Sequence, residues 1–430
     1  MRVNPTEAET ALSELYNTRR AQFTETPLAE ARARAFERFA TAGLPHRRVE
    51  AYRYTDLRTR LRQLPPMAAA VEEAELTGLL VAHPPVMDGA ARIVIANGRY
   101  DEPASTAPAH VTVRSILDPE ADTSTVGALV ADSDDPLTLA NVGLFDGGAV
   151  VHVAGEAGAP LEILHVATGD NLVMGRVAVT VAEGARLSVI ERMIGQAGTV
   201  DNSLTELTIA PGAHVDWVRL AEGASDAAVN LSSLHVRLGE GAQLEHLTVT
   251  TGKGLSRSQV FAHVAGDDAE ANFRAATVAL GKRHADNTFV VRHDALGSRS
   301  SEVFRSAVGA GGTAIIQGRI VVDPGAQKTD ARMMSNALFL DDTGEVVNKP
   351  ELEIFADDVQ CGHGATSGDL DEEAVFYLRA RGIPEIIARR LLVEAFVLQA
   401  LDRVSDDTLS ALLADHLRAA LAEMGGRTWT

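Results

Sequence analysis

The sequence predicts a mainly β protein: a right-handed parallel β-helix, or solenoid, flanked by N-terminal and C-terminal helical domains. From about Gly148 to Asn336 apolar residues alternate with polar ones, as in Val177, Val179 and Val181 or Leu234, Val236 and Leu238, the pattern of short half-buried strands. Between these runs a Gly-Ala turn recurs, in EAGAPLEI, AEGARLSV, APGAHVDW and GEGAQLEH, setting Gly158, Gly184, Gly212 and Gly241 26, 28 and 29 residues apart. The period excludes helical repeats, and strand, glycine turn, strand and return within that span make one rung of a stack. Fainter echoes at GDDAEANF, HDALGSRS and DPGAQKTD extend the stack to seven or eight rungs.

Taken in order, residues 1–65 read as a helical region, 66–147 as a linking α/β region, 148–348 as the β-helix core and 349–430 as a C-terminal helical domain. Asn4-Pro5-Thr6-Glu7 offers an N-cap, a proline at the first helical position and a glutamate at N3, ahead of Ala8, Ala11, Leu12 and Leu15 at helical spacing. Thr26-Pro27 opens a second helix with Leu28, Ala31, Ala35, Phe36 and Phe39 on one side, ended by Gly43 and Pro45. Strands are expected to stop after Lys349-Pro350. Asp371-Glu372-Glu373 then supplies acidic side chains to a first helical turn, Gly382 and Pro384 separate this helix from the next, and a third runs from Ser405-Asp406-Asp407 to Gly425-Gly426.

Charge narrows the function. The 39 basic and 59 acidic side chains leave a formal net charge of -20, which repels phosphate backbones and anionic lipid, so nucleic-acid and membrane partners are not expected. The polar, acidic N-terminus lacks the basic start and apolar core of a signal peptide, and a cytoplasmic location is expected. One cysteine rules out an internal disulfide and a self-contained thiolate cluster site. There is no phosphate loop of the GxxxxGK[ST] type, and GDDAEAN and DDTGE lack the register of calcium loops. β-Helix enzymes acting on sugars are the rival class, but aromatics make up 4% of the chain and Trp217 and Trp429 are the only tryptophans. Lys282, Arg283, His284, Arg292, His293, Arg299 and Arg305 form a basic run, which suits either a polar outer face or the steering of an anionic partner.

The lone Cys361 stands in CGHGATSG with His363 two positions on. If Val359 to His363 is extended, thiol and imidazole share one face. The alternative is a buried thiol beside a hydrogen-bonded histidine, and Asp357 and Asp358 stand where they could orient the ring.

The longer run KPELEIFADDVQCGHGATSGDLDEEAVFYLRARGI, Lys349 to Ile383, resembles the C-terminal signature of the SufB/SufD family of iron-sulfur cluster assembly scaffolds. RVEAYRYTDL, Arg48 to Leu57, is similar to that family's Glu-x-Trp-Lys-Tyr-Thr element, with Tyr52 and Arg53 in place of tryptophan and lysine. The resemblance spans essentially the whole chain. With one cysteine, it lies closer to the SufD branch than to SufB, whose members are longer and carry further cysteines.

The resemblance implies a subunit without catalytic turnover in a SufB-SufC-SufD complex. It would pair with SufB through the β-helix and dock the SufC ATPase on the C-terminal helices, in the region of Asp371, Glu372, Glu373, Tyr377, Arg379 and Arg381. His363 is carried over as a ligand for a transient iron ion or iron-sulfur cluster shared with SufB, and Cys361 as an accessory thiol; no cofactor is held stably by the chain alone. A homodimer through the free solenoid edges is expected when the partner is absent. Two alternatives stay open: a cytoplasmic β-solenoid enzyme acting on a carbohydrate or acyl substrate, and a structural homo-oligomer in which Cys361 and His363 are inert.

Overall fold

A computed structural model describes residues 4–23, 28–195, 198–223 and 225–423. The Thr26-Pro27 cap, the Gly425-Gly426 stop and Trp429 lie outside the described residues.

Inward-facing Val, Ile, Leu and Ala of the alternating runs close two sheets around one apolar interior, which also holds Trp217, Phe273, Phe289 and Phe304. Each fully buried Val, Ile or Leu contributes roughly 1.5–3 kcal/mol. The sheets wind into a solenoid of about seven turns, in which equivalent strands of successive rungs pair in parallel.

The recurring turn forms a ladder of its own. The backbone N–H groups of Gly184, Gly212, Gly241, Asp268, Gly297 and Lys328 each donate to a carbonyl in the next rung's turn, those of Pro211, Glu240, Asp267, Leu296, Gln327 and Asp358. All six residues have φ between 56° and 69°, the left-handed region that glycine enters without strain. Asp268 and Lys328 hold the same conformation without being glycine, which is why the later repeats look faint in sequence.

Helical layers cover the outer faces. On one sheet, helices Glu7–Arg19, Ala29–Ala42 and Pro136–Leu144 pack over Ala178, Leu204, Leu231 and Leu255. On the other, helices Glu385–Leu398 and Asp407–Ala422 pack Val393, Val397, Leu409 and Leu413 against Val218, Leu247, Val249 and Ala276. No helix of the described residues is long and apolar enough to cross a membrane.

The family-like segment around Tyr52 fastens the N-terminal region to the solenoid. Tyr52 is fully buried; its hydroxyl meets Asp135 at 2.5 Å and Gln259 at 2.8 Å, and the Arg257 guanidinium lies 4.1 Å from its ring centre. Arg257 pairs with Asp286, which also takes the Thr55 hydroxyl. The Ala51 carbonyl accepts from Arg257 and Gln317, and Glu50 pairs with Lys349 at 2.6 Å. The segment therefore straps four rungs together.

Three expectations need correction. The first helix is capped by Thr6, not Asn4, because Thr6 and Glu9 form a reciprocal capping box. Strands do not stop at Lys349-Pro350: Glu345–Ile354 and Gln360–Gly368 complete one more rung. Pro350 is tolerated because its strand is the last of its sheet, where a missing N–H breaks no further ladder. The basic run from Lys282 is not a patch: Arg283 and His293 are buried, Arg283 pairs with Glu423, and Arg292 and Arg299 pair with Asp323 and Glu270.

Candidate functional site at the open end of the solenoid

Strand Gln360–Gly368 carries the CGHG motif as extended chain rather than a turn. It pairs in parallel with Asp330–Phe339 on one side and, among the described residues, has no strand on the other. Cys361 lies opposite Ala331 and His363 opposite Met333, and both partners are buried in the interior. Thiol and imidazole thus share the inward-facing side of the final rung. No rung lies above them, so His363 is exposed while Cys361 is half-buried against the core.

Burial pushes the Cys361 thiol upward, and the negative charge of Asp330 pushes the same way, as does Glu302 once ionised, against one lowering contact from the Ala331 backbone. Cys361 is therefore a thiol, not a thiolate, near neutral pH. The Asp358 carboxylate faces Lys328 at 3.1 Å, so it is engaged away from the imidazole. An open groove of about 560 Å³ runs across the last rungs of this sheet, bordered by Glu302, Arg332, Met334, Cys361, His363 and Gly364.

Sequence reasoning missed Glu302. It faces inward one rung below Met333 and one above Phe273, is fully buried, and neither carboxyl oxygen reaches hydrogen-bonding geometry. Burial pushes its carboxyl up to about 8; the nearby Ser300 hydroxyl and its own backbone N–H act in the opposite direction without closing a hydrogen bond. The signal was present in the alternation of Ser300, Glu302 and Phe304, which puts a carboxyl on the core face.

The predicted docking residues lie on the helices that follow. Asp371 caps helix Glu372–Ala380 by accepting from the Glu373 N–H at 2.9 Å. Glu372 pairs with Arg389, Arg379 with Glu385, and Arg381 lies 4.9 Å from the Tyr377 ring centre. The two ion pairs hold this helix to helix Glu385–Leu398. The same pair exposes large apolar side chains: Phe376, 70% exposed, with Ile386, Ile387 and Leu391, and the half-exposed Tyr377.

The chain matches two family models, the SufBD core domain of SUF-system FeS cluster assembly over residues 164–396 and the SufBD protein N-terminal region over residues 6–157. The chain belongs to the SufBD family. It is 28% identical over 272 residues to the iron-sulfur cluster assembly protein SufD of Escherichia coli, a match covering 61% of this chain and 64% of that protein, just under two thirds of its length. A SufBD family protein of Synechocystis is 25% identical over 432 residues, 94% of this chain and 93% of its own. A SufBD family protein of Mycobacterium tuberculosis is 28% identical over 246 residues, 55% of this chain and 61% of its own.

The SufBD core match takes in the solenoid rungs, the CGHG strand and the helix carrying Ile386, Ile387 and Leu391. Do these residues suit a metal or cluster as cargo? Among the described residues no three His, Cys, Asp or Glu side chains converge as a complete ion site. The exposed His363 imidazole suits a shared ligand set, whereas Cys361 must first lose its proton. His363 and Cys361 by themselves do not make up the ligand set of an ion.

Proposed function

We propose that this SufBD protein is a SufD-like scaffold subunit of a SufB-SufC-SufD complex in the cytoplasm, with no catalytic turnover of its own. The observation that carries the reading is the unpaired final rung, which presents His363 and Cys361 on a face built to be covered. Its two strands, Glu345–Ile354 and Gln360–Gly368, each end a sheet, and unpaired N–H and C=O groups are a template for a second solenoid. Ile354, Phe355 and Met334 stand exposed at the same end, where a partner would bury them.

Covering this end would exclude water from the imidazole and bring thiolates from SufB beside it, giving a transient iron ion or iron-sulfur cluster the ligands this chain lacks. The apolar surface of Phe376, Tyr377, Ile386, Ile387 and Leu391 is the dock for the SufC ATPase, with Glu372, Glu373, Arg379 and Arg381 as its polar rim. Because strand Gln360–Gly368 runs into helix Glu372–Ala380, movement of a bound ATPase would be passed directly to the rung that carries His363. Trp217, the tryptophan of the described residues, is enclosed in the interior and offers the groove no stacking platform for a sugar.

The test is anaerobic cluster assembly by the co-expressed complex, comparing wild type with His363→Ala after both are shown to assemble in the same stoichiometry. Loss of cluster from an intact complex is expected; full retention would reduce the CGHG strand to architecture.

A further inference from the structure

Inside the final rungs one side chain has no structural reason to be ionisable. Glu302, Met333 and His363 occupy successive positions of one inward-facing column. With strands about 4.8 Å apart, the carboxyl-bearing residue lies roughly 10 Å below the exposed imidazole, with the Met333 thioether between them. Further down, the column holds Phe273, and Phe289 and Gly318 line the facing sheet near Phe304 and Met333. Glutamine or methionine would fill the same space, and an acid without a hydrogen-bond partner is among the costlier groups to bury.

Resting on the reading of His363 as a ligand, we propose that Glu302 is the interior counter-charge of the open end: it releases its proton when a divalent cation occupies the inward face at His363. The balance is simple. The neutral acid and M2+ give a carboxylate facing M2+ and one H+ to solvent, and no electron moves. In the isolated chain burial keeps the carboxyl protonated at neutral pH, and no charged group lies close enough to steady its ionised form. The titratable groups on that side are Cys361 and His363 on the final rung and His293, whose Nε2 meets the Ser300 hydroxyl at 3.0 Å and which burial keeps neutral. The neighbouring strands contribute Phe273 and Met333. A dication roughly 10 Å away, screened as in a protein interior, favours ionisation by roughly a hundredfold. The interior position below Met333 is thereby uncharged when the face is empty and negative beneath a bound cation.

The experiment titrates Co2+, as a spectroscopic probe, into the co-expressed complex at neutral pH under anaerobic conditions, following visible absorption and proton release with an indicator dye. Wild type is expected to release about one proton more per ion than Glu302→Gln or Glu302→Met. Both variants should bind Co2+ roughly tenfold or more weakly, with a flatter pH dependence. Either variant suffices if the other fails to fold. Equal proton release and affinity in a folded Glu302 variant, with binding still lost in His363→Ala, overturns the role of Glu302 and leaves the His363 site standing. Binding unchanged in His363→Ala, or no binding by wild type, overturns both.

Discussion

The two ends of the solenoid receive opposite treatment. At the N-terminal end, strand Arg99–Asp101 pairs antiparallel with Ala91–Ala96, and Val111–Ser115 pairs antiparallel with Ala149–Val153, while helix Glu73–Ala82 packs Leu76 against Val94, Leu164 and Val166. Short reversed strands and a covering helix are devices that stop a sheet from recruiting another. At the C-terminal end neither device is present among the described residues: two strands of ten residues and nine finish in parallel register with their outer edges free. One end is capped against further pairing and the other is left open.

That contrast can be broken in three ways. The largest effect is on stability. Ile93→Ala, in the closed interior, is expected to cost about 3 kcal/mol, whereas Leu352→Ala, only partly buried on the final rung, should cost about 1 kcal/mol. Urea unfolding of the isolated chain checks both, and equal losses would mean that the last rung is as well packed as the first. Next, Phe355→Asp at the exposed corner should leave the chain folded while weakening association with a solenoid partner by about 2 kcal/mol. Size-exclusion and calorimetric titration read this out, and unaltered association would move the interface elsewhere.

The effect that is smallest over any single pH unit, at about 1.4 kcal/mol, is on pH dependence. Glu302 titrates near its ordinary 4.5 when unfolded but only at about 8 when folded. Below pH 4.5 both states are protonated. As pH rises the unfolded state ionises and the folded one does not, so stability falls by about 1.4 kcal/mol per pH unit until the folded group titrates. Glu302→Gln should therefore flatten the stability profile between about pH 5 and 8. An unchanged slope would show that the carboxyl is better solvated than its burial implies.

The parts visible in sequence were those written in local pattern. Val177, Val179 and Val181 give the strand period, and Gly184, Gly212 and Gly241 mark turns that must be left-handed. The turns at Asp268 and Lys328 were hard to see because a stack of neighbouring hydrogen bonds imposes a conformation their own chemistry does not announce. The strands around Pro350 were missed for a related reason: proline argues against a central strand but says nothing against an edge.

For the site, Cys361 and His363 could be placed on one face from spacing alone, yet their relation to Glu302 depends on which strand stacks on which, a fact spread over sixty residues of chain. Helix Glu372–Ala380 was legible through the acidic run Asp371-Glu372-Glu373, of which Asp371 proves to be the cap. The exposure of Phe376, Ile386 and Leu391 was not, because helical periodicity shows an apolar face without saying what covers it.

The ladder of left-handed turns has a mechanical consequence. Its hydrogen bonds point along the solenoid axis, one per rung, and so form a seam that carries tension in series. A pull along that axis would peel the last rung first, since it is held by neighbours on one side only, and would meet its greatest resistance where the Tyr52 strap crosses four rungs at once. Single-molecule extension should then show stepwise lengthening of about one rung at a time, beginning at the end that bears His363, and a single all-at-once rupture would show that the helical layers, not the seam, bear the load.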